Sequence, residues 1–79
     1  MRTPWGDLVR TRLDMTREDM FSAPAAATLL GISSAKAYKE INSGNLPATD
    51  LNAEAPGHPF WRLTKTDILE YVSRVEKRA

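Results

Sequence analysis

"FSAPAAATLLGISSAKAYKEINSG", residues 21–44, decides the fold. It reads as two short helices with almost no chain between them. Ser22 is a good N-cap, and Pro24 fits the first turn, where its missing N–H has no helical partner to lose. Ala26, Leu29 and Leu30 follow as an inward stripe, and the alanines let another helix approach closely. Gly31 suits the left-handed position that closes a helix. The chain then restarts. Ser33 or Ser34 caps, Ala37 and Ile41 face inward at i,i+4, and Gly44 marks the stop.

Only three or four residues, one of them glycine, separate the two helices. That spacing suits a helix-turn-helix. With Ala37 and Ile41 turned inward, the outward arc of the second helix holds Ser34, Ala35, Lys36, Tyr38 and Lys39. Hydroxyls and cap N–H groups at Ser33 and Ser34 suit a phosphate. Lys36 and Lys39 suit ion pairs with phosphates or bonds to guanine N7 and O6. Tyr38 is either a phosphate-contacting hydroxyl or a half-buried core ring. Lys36 is either free for a ligand or paired with Glu40 at i,i+4.

Downstream the pattern changes. Residues 48–51 and the aromatic, then alternating "FWRLT" (60–64) suggest a two-stranded hairpin, with strands at 48–51 and 60–63. Its loop, residues 52–59, holds Pro56, Gly57 and Pro59. Such a wing offers His58 at its tip and Arg62 on its second strand to a phosphate backbone or minor groove. The alternatives are a solvent-exposed turn histidine and an arginine paired with Asp67 or Glu70. Phe60 is expected nearer the wing. Trp61 is expected on the opposite face, against the N-terminal arm or the first helix of the pair.

Thr64 or Thr66 caps a last helix, and Thr64 with Asp67 forms a capping box. Ile68, Val72 and Val75 give that helix its stripe, widened by Leu69, while Glu70, Arg74 and Lys77 lie opposite. Residues 1–19 are polar, with Trp5, Val9 and Leu13 four apart. They form either an ordered arm, a short helix laying Trp5 and Val9 on the core, or a loose extension. The expected division is therefore an arm over 1–19, a mostly α domain with a small β-hairpin over 20–73, and the helix end and tail over 74–79.

Bulk composition narrows the functions. With 79 residues the chain is one small domain, and with no cysteine it has neither disulfides nor thiolate metal sites. A lone His58 lacks a partner for imidazole metal binding, so no metal and no cofactor are expected. Neither a signal peptide nor a run of ~18 apolar residues is seen, which predicts a cytoplasmic protein without membrane contact. Eleven basic residues oppose ten acidic ones, so any positive surface is small and local. No nucleophile, base and orienting acid are spaced as a triad, and the four glycines make no phosphate loop. The chain does not read as an enzyme.

The ordered set Leu29-Leu30-Gly31-Ile32-Ser33, Tyr38-Lys39, Ile41, Gly44, Leu46-Pro47-Ala48, Trp61-Arg62-Leu63 and Asp67-Ile68-Leu69-Glu70-Tyr71-Val72 resembles the excisionase family. These are recombination directionality factors with a small winged helix-turn-helix, related to the DNA-binding heads of MerR regulators. The resemblance covers residues 20–73. It implies double-stranded DNA as partner, with Ser33, Ser34, Lys36, Tyr38 and Lys39 in the major groove and Arg62 on the wing. It also implies copies side by side that bend attachment-site DNA for a phage or plasmid integrase. The family often carries arginine where Ser34 and Ala35 stand here, which points to modest affinity per copy. MerR regulators continue into a long coiled coil, whereas 14 residues follow Lys65 here. A small transcriptional regulator of the same fold and an adaptor that does not bind DNA are the alternative readings.

Overall fold

The computed structural model describes residues 2–51 and 60–78. The chain runs α1 (Pro4–Met15), β1 (Met20–Ser22), α2 (Ala23–Leu30), α3 (Ser34–Asn42), β2 (Thr49–Asp50), β3 (Trp61–Thr64) and α4 (Lys65–Arg78). It is a mostly helical fold with a small antiparallel sheet, the layout of a winged helix-turn-helix.

The sheet has three strands, in the order β1-β3-β2, where a two-stranded hairpin was expected. Phe21 opposes Leu63, and Ser22 opposes Arg62. β2 is shorter than the expected strand, with Thr49 opposite Arg62 and Asp50 opposite Trp61. The third strand forms because Phe21 and Leu63 both need cover and lie on one face; they are 4% and 0% exposed. Their pairing closes backbone hydrogen bonds at the edge nearest α2. The tip of the wing, with His58, lies outside the described residues.

Strand alternation separates the aromatics. Trp61 and Leu63 share the core side, and Trp61 packs partly buried against the core. Phe60 and Arg62 share the other side. Phe60 is exposed, and the Arg62 guanidinium lies 4.7 Å from its ring centroid, a cation–π contact.

The core gathers Val9 and Leu13 of α1, Ala26 and Leu30 of α2, Ile41 of α3, Leu63 of β3 and Ile68, Tyr71 and Val72 of α4. Truncating a side chain as enclosed as Leu63 costs about 2–5 kcal/mol. Thr64 and Asp67 form the capping box of α4. The Asp67 N–H donates to Thr64 Oγ1 at 3.1 Å, and the Thr64 N–H donates to Asp67 Oδ2 at 2.9 Å.

The buried face of α4 differs from the expected stripe. Leu69 is exposed and Val75 only partly buried, while Tyr71 and Glu76 go inside. Glu76 replaces an apolar residue there because α1 supplies its partners. Its carboxylate accepts the Thr3 N–H at 2.7 Å and the Thr3 hydroxyl at 3.1 Å, and it pairs with the Arg10 guanidinium. Thr3 Oγ1 in turn accepts the Gly6 N–H at 2.9 Å as the cap of α1. A carboxylate at a helix N-terminus is also favoured by the helix dipole. The Arg10 hydrogen bond, followed by the Thr3 N–H, lowers the Glu76 carboxyl to about 2.

Candidate nucleic-acid interface

The pair α2–α3 is built by local chemistry and then held from outside. Ser22 caps α2, accepting the Ala25 N–H at 3.3 Å. Gly31 closes α2 at φ 72°, a left-handed conformation that suits glycine. The last four carbonyls of a helix lack partners within it. Those of α2 are all satisfied. The Ile32 N–H donates to Ala27 O at 3.0 Å, and the Gly31 N–H donates to Thr28 O at 3.2 Å. Arg12 donates to Leu29 O at 3.0 Å, and the Trp5 indole N–H donates to Leu30 O at 2.7 Å. Two of the four partners thus come from α1.

Ser33, not Ser34, caps α3, its hydroxyl accepting the Lys36 N–H at 3.1 Å. Ala37 and Ile41 are buried beneath it, as their spacing predicts. The far end of α3 is fixed by α4. Arg74 donates to both Gly44 O and Asn45 O at 3.1 Å, and Arg78 donates to Asn45 Oδ1 at 3.1 Å. Asn45 donates to Glu40 at 2.9 Å. The second helix of the pair is therefore held at its start by the tight turn and at its end by two arginines. The role of Arg74 was hidden in the sequence by its i,i+4 pairing with Glu70, which also forms, at 3.0 Å.

Ser33, Ser34, Lys36, Tyr38 and Lys39 all lie exposed on the outward arc of α3, with Ala35 among them. Tyr38 is 40% exposed, so it is a surface ring and not a core one. Glu40 is engaged by Asn45 rather than by Lys36. Among the described residues neither the Lys36 nor the Lys39 ammonium makes a hydrogen bond or ion pair; the salt bridges involve Arg2, Arg10 and Arg74. Arg62 is half-buried on the outer face of the sheet, stacked on Phe60. Asp67 caps α4 and Glu70 holds Arg74, so neither takes Arg62.

Among the described residues no group of three His, Asp or Glu side chains could hold a metal ion. No described helix is long and apolar enough to cross a membrane. The chain matches the helix-turn-helix domain family over residues 20–75. No curated protein matches it, and no solved structure does.

Proposed function

The chain belongs to the helix-turn-helix domain family, a DNA-binding and not a catalytic type, and from that premise we propose that it is a sequence-specific architectural factor of the excisionase kind. In this reading it works in a bacterial cytoplasm or nucleoid. α3 enters the major groove of duplex DNA with Ser33, Ser34, Lys36, Tyr38 and Lys39. Arg62, and His58 at the wing tip, meet the backbone or minor groove. Several copies bind side by side, bend attachment-site DNA and direct an integrase of a phage or plasmid toward excision.

The observation that carries the reading is the outward face of α3. Two lysines stand on it with no protein partner among the described residues, on a helix fixed at both ends. A fixed helix holds base-contacting groups at constant angle, and free ammonium groups exchange bound counterions for phosphates. The near-neutral total charge limits one copy to a few such contacts, which favours neighbouring copies that share the cost of bending.

The test is a titration onto labelled attachment-site duplex, the adjoining promoter and unrelated DNA, each at two salt concentrations. The excisionase reading expects tight, cooperative binding and a bend at the attachment site. Equal weak binding to all three duplexes sinks it. Preference for the promoter transfers the fold to a transcriptional regulator.

A further inference from the structure

A groove of about 350 Å³ opens beside α3, on the side where α1, the α2–α3 turn and α4 converge. Trp5, Ile32 and Val75 give it apolar walls. The Trp5 ring is fixed by its bond to Leu30 O and by an edge-to-face contact with Tyr71, centroids 6.4 Å apart. The volume lies at the lower end of small-ligand sites, which run from about 300 to 1,000 Å³.

The polar groups at this groove are not equivalent. Tyr71 is 5% exposed, yet its hydroxyl bonds to no protein group among the described residues. Because no buried side-chain oxygen is left without a partner, that hydroxyl keeps access to solvent, and Tyr71 lines the groove. Burial, then the nearby Glu40, raises the phenol above its ordinary range. It therefore stays protonated at neutral pH and can donate. Arg78 and Glu40 are both engaged by Asn45. Lys36 brings an ammonium with no partner. One buried donor and one free cation suit one anionic group. Lys36 and Arg78 against Glu40 leave the rim with one net positive charge, which suits a monoanion rather than a dianion such as phosphate.

We propose that this groove is a small-molecule site for a flat aromatic monocarboxylate, its ring on Trp5, Ile32 and Val75 and its carboxylate between the Tyr71 hydroxyl and Lys36. This assignment is independent of DNA, although Lys36 also belongs to the outward arc of α3.

The test is an NMR titration of the ¹⁵N-labelled chain, without DNA, with 2-naphthoate and with neutral 2-naphthamide. Naphthoate is expected to saturate below about 1 mM. The Trp5 indole N–H and the amides of Ile32, Lys36 and Val75 are expected to shift together. Naphthamide, and naphthoate on Lys36→Gln, are each expected to bind about tenfold more weakly. Lys36 is exposed, so this variant is expected to keep the spectrum of the folded chain elsewhere. No saturable shifts up to about 10 mM overturn the site. Equal binding of the amide, or unchanged binding by Lys36→Gln, overturns the carboxylate assignment. A chain that binds naphthoate but no DNA keeps this site and sinks the reading under Proposed function.

Discussion

Glu76 accepts the backbone N–H of Thr3 at 2.7 Å, joining the last turn of α4 to the residue that caps α1. The two lie 73 positions apart. Arg10 completes the contact with its guanidinium.

This bond makes stability depend on acid. The Glu76 carboxyl falls from 4.5 to about 2 on folding. A lowered acid constant contributes stability that is complete above 4.5 and is lost as pH falls toward about 2. Urea midpoints measured from pH 6 down to about 2 are expected to drop across that window. Glu76→Gln is expected to lower the midpoint at pH 6 and to flatten the drop. A Gln variant with the parent's acid profile would show that other carboxyls control it.

Gly6 sits under the same carboxylate. A Cβ there would fall 2.1 Å from Glu76 Oε2 and 2.9 Å from Cδ. In an open helix Gly→Ala gains up to about 1 kcal/mol. Here the clash wins, because moving Glu76 breaks its bonds to Thr3 and Arg10. Gly6→Ala is expected to destabilise by about 1–3 kcal/mol in urea unfolding. A stabilised variant would mean that Glu76 swings away at little cost.

Trp5→Phe keeps an aromatic ring and removes the indole N–H, leaving Leu30 O without its donor. A loss of about 1–2 kcal/mol is expected. Faster amide exchange is expected in α2 and at the turn, ahead of the rest of the domain. Uniformly faster exchange would place the loss in global stability alone.

Lys39→Ala is expected to weaken binding to specific and unrelated DNA alike and to reduce the salt slope by about 1. The melting temperature should stay within about 1–2 °C, since Lys39 is exposed and unpartnered. Tyr38→Phe asks for the hydroxyl alone; reduced DNA affinity at unchanged stability is the expected result. If both variants bind as the parent does, α3 is not the DNA-facing helix.

Structure is legible in the sequence where it is local. Ser22, Gly31 and the Thr64–Asp67 box act on backbone groups within a few residues, so residue type and spacing suffice to find them. Ala37 and Ile41 likewise dictate which side of α3 faces out. β1 was missed because three residues carry little periodicity, and its partner β3 lies some forty positions on. Glu76 was missed because an acid enters a core only with a distant cation. Nothing near it in the sequence points to Arg10. The role of Arg12 was hidden for the same reason: it serves α2 through a backbone carbonyl, which has no signature of residue type. Phe60 and Arg62 were legible as neighbours on one strand, but not as a stacked pair, which depends on rotamers.

The donors that α1 lends to Leu29 O and Leu30 O also set a boundary for engineering. A segment cut at the matched residues 20–75 would carry every cap of α2 and α3. It would nonetheless leave two carbonyls bare beside the turn, and Trp5 would no longer cover Tyr71. A chimera that grafts this helix pair onto another protein should therefore take residues from Thr3 onward. Shorter grafts would present α3 at a tilt no longer dictated by its own scaffold.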